Sequence, residues 1–466
     1  MVMSRMMDAQ GQSIAATGAN SGDLLAQTID AYLGARVDTR ERLGALLDHD
    51  PSCVMGHCLD GYLHMLSSRR TGFGLATAAL SRASSGASAP IGASHRERLH
   101  IDALSTWASG DLRGAAFIWE TLLAEYPRDI VALKVSQFVL SYLGESARMQ
   151  AVVERVLPAW ERSVPGYGFV LGCHAYALEE MGQYESAEAA GKRAIEINPS
   201  DIWAAHAVAH VAEMQGRRHD GLSWISSLTD RWAQCNNFTF HLRWHEALLH
   251  LDLERFDKVL ELYDEQIRRQ RNDEYLDVTN AVSLLWRLEQ ADVDVGARWQ
   301  ELADQARGHV GDHALVFADL HYLMAIAAAG DADGVERFMD SCARFAASKG
   351  GTESSVMAEV GLPLARAVLA HRRGAYGEVV DLLMPLRNQI KRIGGSHAQR
   401  DLFDQLLIDA ARRGNRLHDA SSLLGERTAR RPLNIWAWRE YATVLGAIGL
   451  PAAAAASRRA DQLRGA

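Results

Sequence analysis

The stretch AYALEEMGQYESAEAAGKRAIEINP, residues 175–199, contains the clearest structural pattern of the chain. Its marker residues, in order, are Ala177, Gly182, Tyr184, Ala187, Ala194 and Pro199. Small side chains at the alanine positions let two helices approach closely, and the Gly and Tyr mark the turn between them. The Pro is unsuited to a helix interior and starts the next helix. The stretch therefore predicts a hairpin of two helices.

The same skeleton recurs about every 34 residues and resembles the tetratricopeptide repeat, whose copies stack into a solenoid. Further copies carry Gly110, Ala115 and Pro127; Gly144; Gly216 and Ile225; Phe256 and Tyr263; Gly374, Tyr376 and Val379; Gly414, Ala420 and Pro432; and Trp438, Ala442, Gly449 and Ala454. On this register, units begin near residues 20, 54, 96, 130, 168, 202, 240, 277, 316, 360, 400 and 435. We predict an all-α fold, a right-handed α-solenoid of about twelve tetratricopeptide-like hairpins curled around a concave groove.

The composition suits a long helical array. At 466 residues the chain exceeds the size at which one round core keeps growing. Leu, Ala, Glu and Arg dominate and strand-like alternation is absent, which disfavours a β fold. We expect a flexible lead over residues 1–20 and one continuous solenoid domain over residues 21–466, because stacked repeats share one core. Stretches rich in Gly and Ser predict loops at residues 67–94, 348–355 and 391–401.

Charge and cysteine content exclude several classes of protein. A formal net charge of -9 argues against nucleic acid or an anionic membrane as partner, since both require a basic face. The five cysteines are odd in number, scattered and without a C-x-x-C pair, which favours a reducing compartment. No apolar run approaches the length of a membrane span, and the N-terminus has no apolar signal core. We therefore expect a cytoplasmic protein.

Two histidine pairs stand out in HAVAHVAEMQG (residues 206–216) and FHLRWHEALLH (residues 240–250). His206, His210 and Glu213 share one helix face, because positions i, i+4 and i+7 align. The repeat register places them on the concave surface, together with His241 on the next first helix. His245 is expected to turn partly into the seam between helices. Tyr176, Glu179 and Trp244 flank the pairs on the neighbouring concave positions.

The histidine pairs are compatible with a single metal ion. Neutral imidazoles suit zinc, iron, copper or nickel, and one carboxylate completes a small ligand set. The predicted metal ligands are His206, His210, His241 and His245. The string HEALLH lacks the zinc-peptidase spacing, because Leu249 occupies the place of the second His. A di-iron site needs carboxylates from two more helices, and only Glu179 or Glu180 is an obvious supplier. Packing of polar side chains and a peptide-binding surface remain alternatives.

A second constellation lies in RIGGSHAQRDLFDQLL, residues 392–407. Ser396 and Gln399 form a capping-box pattern that starts a helix. His397, Arg400 and Asp401 follow in the first turn, where a helix N-terminus and an Arg suit a carboxylate or phosphate. His321, in FADLHYLMA (residues 317–325), lies on another first helix and is either a site residue or a core residue.

These strings resemble the tetratricopeptide repeat protein 38 family over nearly the whole chain, most distinctively in HAVAH and GGSHAQRD. The resemblance implies a helical repeat solenoid and brings no established reaction. The polar positions of the family pattern are matched here by His206, His210, Glu213, His241, His245, His321, His397, Arg400 and Asp401. A fixed histidine-rich groove implies a fixed small ligand rather than variable peptides.

The sequence therefore predicts a concave pocket in which the histidine cluster faces the turn at residues 397–401. We expect the protein to bind a small, anionic ligand there, and the same residues suit a metal-dependent or acid–base enzyme, whether hydrolase, lyase or transferase. The predicted catalytic residues are His206, His210, Glu213, His241, His397 and Asp401. The predicted ligand-binding residues are Arg400, Tyr176, Trp244, His321 and Glu179, with Trp203 as a further aromatic wall. The alternatives are a non-catalytic adaptor for a peptide or protein partner and a structural homo-oligomer.

Overall fold

The computed structural model describes residues 6–88 and 92–464, most of which lie in helices. In chain order the helices are α1 (Ser21–Leu33), α2 (Thr39–His49), α3 (Val54–Leu66), α4 (Arg70–Ala87), α5 (His95–Ala108), α6 (Leu112–Glu125), α7 (Ile130–Tyr142), α8 (Ser146–Val156), α9 (Tyr167–Glu180), α10 (Tyr184–Ile197), α11 (Ile202–Gln215), α12 (Arg218–Leu228), α13 (Phe238–Asp252), α14 (Phe256–Leu262), α15 (Tyr275–Gln290), α16 (Arg298–Arg307), α17 (Val316–Ala328), α18 (Ala332–Ala347), α19 (Thr352–Val356), α20 (Leu362–Arg372), α21 (Tyr376–Leu383), α22 (His397–Arg413), α23 (Leu417–Arg430), α24 (Ile435–Ala447) and α25 (Ala452–Arg464). Short 3₁₀ segments lie at Leu157–Ala159, Thr229–Trp232 and Ile390–Ile393, and π-helical turns at Tyr263–Ile267 and Met357–Gly361. No helix within the two described ranges combines the length and the apolar character needed to cross a bilayer.

Twelve consecutive helix pairs account for the described ranges, with α19 as a short addition before the tenth pair. The first helix of each pair begins within three residues of the predicted unit start. Ala177, Ala187 and Ala194 are fully buried between neighbouring helices, as their small size predicts. The predicted all-α solenoid is confirmed.

The predicted loop at residues 67–94 is wrong, because α4 occupies most of it. Ala76, Ala79 and Ala83 are fully buried at helical spacing. Gly72 and Gly86 lie so close to backbone carbonyls of neighbouring segments that a Cβ would come within 2.4 and 2.6 Å of them. The small residues that suggest a loop therefore serve close helix packing. Residues 89–91 of this prediction lie outside the described residues.

The other two predicted loops are shorter than the sequence suggests. The 348–355 stretch ends α18 and already starts α19 at Thr352. In the 391–401 stretch, Gly394 and Gly395 precede α22, and the predicted capping box is confirmed: Ser396 Oγ accepts a hydrogen bond from Gln399 N while the Gln399 side chain accepts one from Ser396 N.

The described part of the predicted flexible lead, residues 6–20, is packed against the first repeats. Strands β1 (Met6–Met7) and β2 (Ser13–Ile14) form a small antiparallel hairpin. Ile14 is fully buried, and the backbone N–H of Ala15 donates to Oε1 of the buried Glu97 at 2.8 Å. Burial of Ile14 and the satisfied carboxylate explain why this segment packs rather than extends into solvent. Residues 1–5 of the predicted lead lie outside the described residues.

The solenoid curls until pairs six or seven positions apart touch each other. Two backbone hydrogen bonds connect the loop after α1 to the loop before α13. Val37 N donates to the carbonyl of Gln234 at 3.0 Å, and Asn236 N donates to the carbonyl of Ala35 at 2.7 Å. Further along, Thr352 N donates to the carbonyl of Gly110 at 2.9 Å, and Arg218 Nη1 to that of Leu433 at 2.8 Å. The early and late repeats therefore face each other across the interior.

Gly144 tests how much this closure contributes to stability. Its φ is +65°, and a Cβ would lie 2.1 Å from the backbone oxygen of Lys391 on the facing repeat. We expect Gly144→Ala to lower the free energy of unfolding by more than the about 1–2 kcal/mol that a left-handed backbone costs a residue with a Cβ. Urea unfolding followed by circular dichroism measures this loss.

Gly182 provides the matched control at the equivalent turn of the next pair. Its φ is +74°, and a Cβ added there would have no neighbouring atom within 4 Å. We expect Gly182→Ala to lose only the backbone contribution. Equal losses in the two variants would show that the approach to Lys391 adds no stability.

Candidate functional site

Four histidines from two adjacent first helices meet in the interior of the solenoid. His206 and His210 lie one turn apart on α11, and His241 and His245 lie one turn apart on α13. All four are buried, and one ring nitrogen from each lies within 4.8 Å of the others. We call these four residues the histidine tetrad. It contains every predicted metal ligand, including His245, which the repeat register places partly in the helix seam.

In three members of the tetrad, His206, His241 and His245, the nitrogens that face each other are Nε2 atoms. Nε2 of His241 lies 3.0 Å from Nε2 of His206 and 3.3 Å from Nε2 of His245. The outer nitrogens have partners: Nδ1 of His245 donates to Glu213 Oε2 at 2.8 Å, and Nδ1 of His241 to Asn280 Oδ1 at 3.2 Å. A neutral imidazole carries one proton, so the two Nε2 atoms of His241 and His245 direct lone pairs at each other. A cation bound by both nitrogens would remove that repulsion.

His210 and Glu179 form a second corner with unsatisfied polar atoms. Nδ1 of His210 lies 3.3 Å from Oε2 of Glu179, and both side chains are fully buried. Neither ring nitrogen of His210 nor either carboxylate oxygen of Glu179 makes a hydrogen bond to the described residues. The His210 ring centre is 4.2 Å from that of His206 and 4.4 Å from that of His245. Buried polar atoms without partners are rare in folded proteins, so the Glu179 carboxylate is available to a positively charged group, whether protonated His210 or a bound cation.

Burial sets the protonation states of the tetrad. Burial, reinforced by neighbouring imidazoles, lowers the pKa of His206 and His245 well below the usual value and lowers the pKa of His241 to about 3. Burial also opposes protonation of His210, but the surrounding carboxylates outweigh it and raise its pKa. Burial raises the pKa of Glu213 to about 7. Three of the four imidazoles are therefore neutral near pH 7, the form in which histidine binds metals.

His206 and His241 also border a cavity of about 430 Å³ that opens to solvent beside the exposed residues Val37 and Arg40, and we call it the inner cavity. His210 and His245 lie behind them and are not part of its wall. Its aromatic wall includes Phe138, Tyr142, Trp203, Phe238, Tyr275 and Phe317. Polar and charged side chains, among them Lys134 and Gln137, share the wall with these aromatic rings. A concave wall of this mixed kind with a volume of several hundred Å³ is typical of small-molecule sites.

Of the predicted aromatic residues, Tyr176 and Trp203 lie in the cavity wall and Trp244 does not. The Tyr176 ring centre is 5.8 Å from that of His206. Trp244 is fully buried, stacks on His241 at 5.3 Å and donates its Nε1 to Ser283 Oγ at 3.0 Å. Trp244 therefore fixes the orientation of His241 from behind.

The predicted turn at the start of α22 approaches the tetrad through two adjacent carboxylates of α9. Oε1 of Glu180 accepts the backbone N–H of His397 at 2.8 Å, and Oε2 accepts Nη2 of Arg400 at 3.2 Å. Arg400 Nη1 also donates to the carbonyl of Gly395. The preceding residue, Glu179, faces the tetrad. The two predicted clusters thus meet through neighbouring residues of one helix, and the Arg400 guanidinium is already paired.

Asp401 lies in an ion-pair network rather than in the wall of the inner cavity. Its two carboxylate oxygens accept Nη1 and Nη2 of Arg427 at 2.6 and 2.9 Å, and Nη2 of Arg431 lies 3.5 Å from Oδ1. The network joins α22 of the eleventh pair to the end of α23.

His321, predicted either as a site residue or as a core residue, is fully buried between α17 and α22. Its Nδ1 donates to the carbonyl of Phe317 at 2.7 Å, and its ring centre is 5.8 Å from that of Phe403. Burial lowers the pKa of His321 to about 4. It does not line the inner cavity, which favours the core interpretation.

Two buried cations near the site escape the sequence-based prediction. Lys134 lines the inner cavity, and Arg287 donates to the carbonyls of Ser283 and Ala398, both at 3.1 Å. Burial lowers the pKa of Arg287 to about 10. For Lys134 the sequence carries a usable signal, because IVALKVSQFVLSY (residues 130–142) holds one charged residue in an otherwise apolar and small polar helix. A charge in a helix that is apolar on all sides marks a buried polar function.

No protein-family model matches the sequence. Human IFIT1, solved as a dimer with PPP-AAAA, is similar at 13% identity over 95% of this chain and 94% of that chain, with a TM-score of 0.42. The Cut9–Hcn1 hetero-tetramer of the APC/C is similar at 11% identity over 96% of this chain and 94% of that chain, with a TM-score of 0.35. Both neighbours are tetratricopeptide-type helical solenoids, and similarity at this level carries no argument about ligand. The resemblance to the tetratricopeptide repeat protein 38 family stays a prediction.

Proposed function

We propose that this solenoid binds one divalent transition-metal ion through the histidine tetrad and uses it on a small anionic ligand in the inner cavity. The observation that carries the proposal is the convergence of the Nε2 atoms while the outer nitrogens of His241 and His245 are held by Asn280 and Glu213. Metal-binding histidines in proteins are oriented in this way by an acceptor on the second nitrogen.

The spacing of the nitrogens supports the same conclusion. Four nitrogens held tetrahedrally at about 2.0–2.1 Å from zinc lie about 3.3–3.4 Å from each other. The Nε2 separations of 3.0 and 3.3 Å within the tetrad are close to that value. The carboxyl groups of Glu179 and Glu213 lie beside His210 and His245, and in their ionised form they offset the charge of the ion.

The position of the tetrad at the cavity wall supports a role in chemistry. His206 and His241 face the inner cavity, so a ligand in that cavity approaches the metal from one side. A metal held by these histidines would supply Lewis-acid chemistry, polarising an oxygen of the ligand or lowering the pKa of a water. Hydrolysis, lyase chemistry and group transfer all use such a centre.

Elemental analysis of the purified, untagged protein tests the metal site directly. We expect about one equivalent of a transition metal per chain, measured by plasma mass spectrometry, because the neutral imidazoles of His206, His241 and His245 converge and leave a fourth coordination position for a ligand. The double variant His206→Ala, His210→Ala is expected to contain none, since two ligands rarely hold such an ion after purification.

The matched control is the double variant His219→Ala, His418→Ala, which removes two exposed imidazoles on α12 and α23. It is expected to keep the full metal content. Circular dichroism confirms that each variant is folded. Metal-free wild-type protein that also fails to take up zinc, iron, copper or nickel on dialysis would overturn the proposal.

A further inference from the structure

Lys134 is a buried ammonium group in the wall of the inner cavity. It lies on α7 and is 5% exposed. Its Nζ lies 3.8 Å from the ring centre of Trp203 and 5.0 Å from that of Phe138. The two aromatic faces attract the cation and hold it against the cavity.

No carboxylate among residues 6–88 and 92–464 forms an ion pair with Lys134; Asp201 acts on it only across a longer distance. The surface lysines Lys192 and Lys258 show the contrast, since each is paired with a Glu at 2.6 and 2.5 Å. Taking a charge out of water is costly unless an opposite charge accompanies it. An anion in the inner cavity provides that charge.

The remaining wall defines what accompanies the anion. Glu274 is the one carboxylate in the described wall, and Arg36 is already engaged by Asp38 at 2.9 Å. Arg40 also lines the wall but is exposed to solvent and donates to the carbonyl of Leu63, so Lys134 is the one buried cation among the described wall residues. Around Lys134 the wall is aromatic, with Trp203, Phe138 and Phe238 close together. A single ammonium suits a monoanion, whereas a phosphate dianion is usually bound by several donors at once. Aromatic walls favour a flat, apolar body.

We propose that the ligand of the inner cavity is a monocarboxylic acid with an aromatic body, and that Lys134 binds its carboxylate. The inference rests on the proposed function only in taking the inner cavity as the ligand site. In that arrangement the aromatic body lies along Trp203 and Phe238, and the far end of the ligand reaches His206 and His241.

The test is a calorimetric titration with a panel of probes: benzoate, phenylacetate, 3-phenylpropanoate, 2-naphthoate and indole-3-acetate, each beside its carboxamide, and phenyl phosphate. We expect at least one carboxylate to bind with a Kd below about 1 mM and its amide to bind about 10- to 100-fold more weakly, the difference that a charge-assisted hydrogen bond makes. The variant Lys134→Met is expected to bind the carboxylate about 10- to 100-fold more weakly than the wild type. The variant Lys134→Arg is expected to keep part of the preference for the carboxylate over its amide.

The control variant is Lys192→Met, which removes an exposed ammonium and is expected to bind like the wild type. Lys134→Met is expected to fold, because it removes an unpaired buried charge and keeps the apolar stem. Absence of carboxylate binding, equal binding of acid and amide, unchanged binding by Lys134→Met, or tighter binding of phenyl phosphate would each overturn the proposal.

Metal content measured on the same samples separates this inference from the proposed function. The titrations are run with metal-loaded and with chelator-treated protein, and the Lys134 effect is expected in both. If the protein binds no metal but binds the carboxylate through Lys134, the metal centre is rejected and the role of Lys134 stands. A metal-loaded tetrad without carboxylate binding rejects the role of Lys134 alone.

Discussion

Asp401→Asn is expected to lower the free energy of unfolding by about 3–5 kcal/mol, the loss typical when one partner of a buried ion pair is removed. Asp401 is 6% exposed and accepts both terminal nitrogens of Arg427, with Arg431 beside it. The substitution leaves these two guanidinium groups without their counter-charge. Urea unfolding at neutral pH measures the loss.

The difference in free energy of unfolding between the wild type and Asp401→Asn is expected to depend on pH, and the pKa of Asp401 sets that dependence. Burial opposes ionisation, but Arg427 and Arg431 outweigh it and hold the pKa of Asp401 well below its usual range. A carboxyl group with a lowered folded pKa stabilises the fold above its unfolded pKa of about 3.9 and loses that contribution as the pH falls towards the folded value. The gap between wild type and Asp401→Asn is therefore expected to narrow below about pH 4.

Asp404 on the same helix supplies the matched control. Burial raises the pKa of Asp404, and no ion-pair partner for it exists within the described ranges. Asp404→Asn is therefore expected to change the free energy of unfolding by less than about 1 kcal/mol. A similarly small effect of Asp401→Asn would contradict the structural role of the network. If Asp401→Asn were as stable as the wild type but no longer bound the carboxylate, Asp401 would be assigned to the ligand site, as the sequence predicts.

The repeat pattern predicts the fold well because each helix pair is specified locally. Small residues such as Ala187 and turn glycines such as Gly182 recur at fixed offsets, and the helices begin where those offsets place them. The same reasoning fails at residues 67–94, since a Gly next to a neighbouring backbone has the same composition as a Gly in a loop. The contact that identifies Gly72 as a packing glycine is its close approach to the backbone oxygen of His64, which the composition of the stretch does not reveal.

The candidate site is predictable to the extent that it lies on adjacent helices. His206, His210 and His241 follow from the repeat register, because neighbouring first helices present equivalent positions to one surface. His245 and Asn280 do not, since rotation of α13 about its axis decides which side they face. Closure across pairs six or seven apart sums small rotations over many repeats, so no local pattern predicts that Glu180 meets Arg400.

Metal binding is expected to raise the free energy of unfolding of the wild type by about 4 kcal/mol when the free ion is present at 1,000 times its Kd. The folded chain holds the ligands in place before the ion arrives, whereas the unfolded chain separates α11 from α13. Urea unfolding with chelator and with added zinc, iron, copper or nickel measures this increment. His241→Asn is expected to abolish it, because His241 Nε2 faces both His206 and His245.

The same experiment distinguishes a metal centre from four histidines that only pack. In a packed core the imidazoles donate protons to one another, the wild type unfolds identically with and without metal, and His241→Asn costs stability under both conditions. In a metal centre the cost of His241→Asn appears mainly in the presence of metal, since without an ion the lone pairs of His241 and His245 oppose each other. The variant His219→Ala, His418→Ala keeps the full increment, because neither exposed imidazole lies near the tetrad. Identical unfolding of the wild type with chelator and with each of the four metals would therefore assign the tetrad to packing.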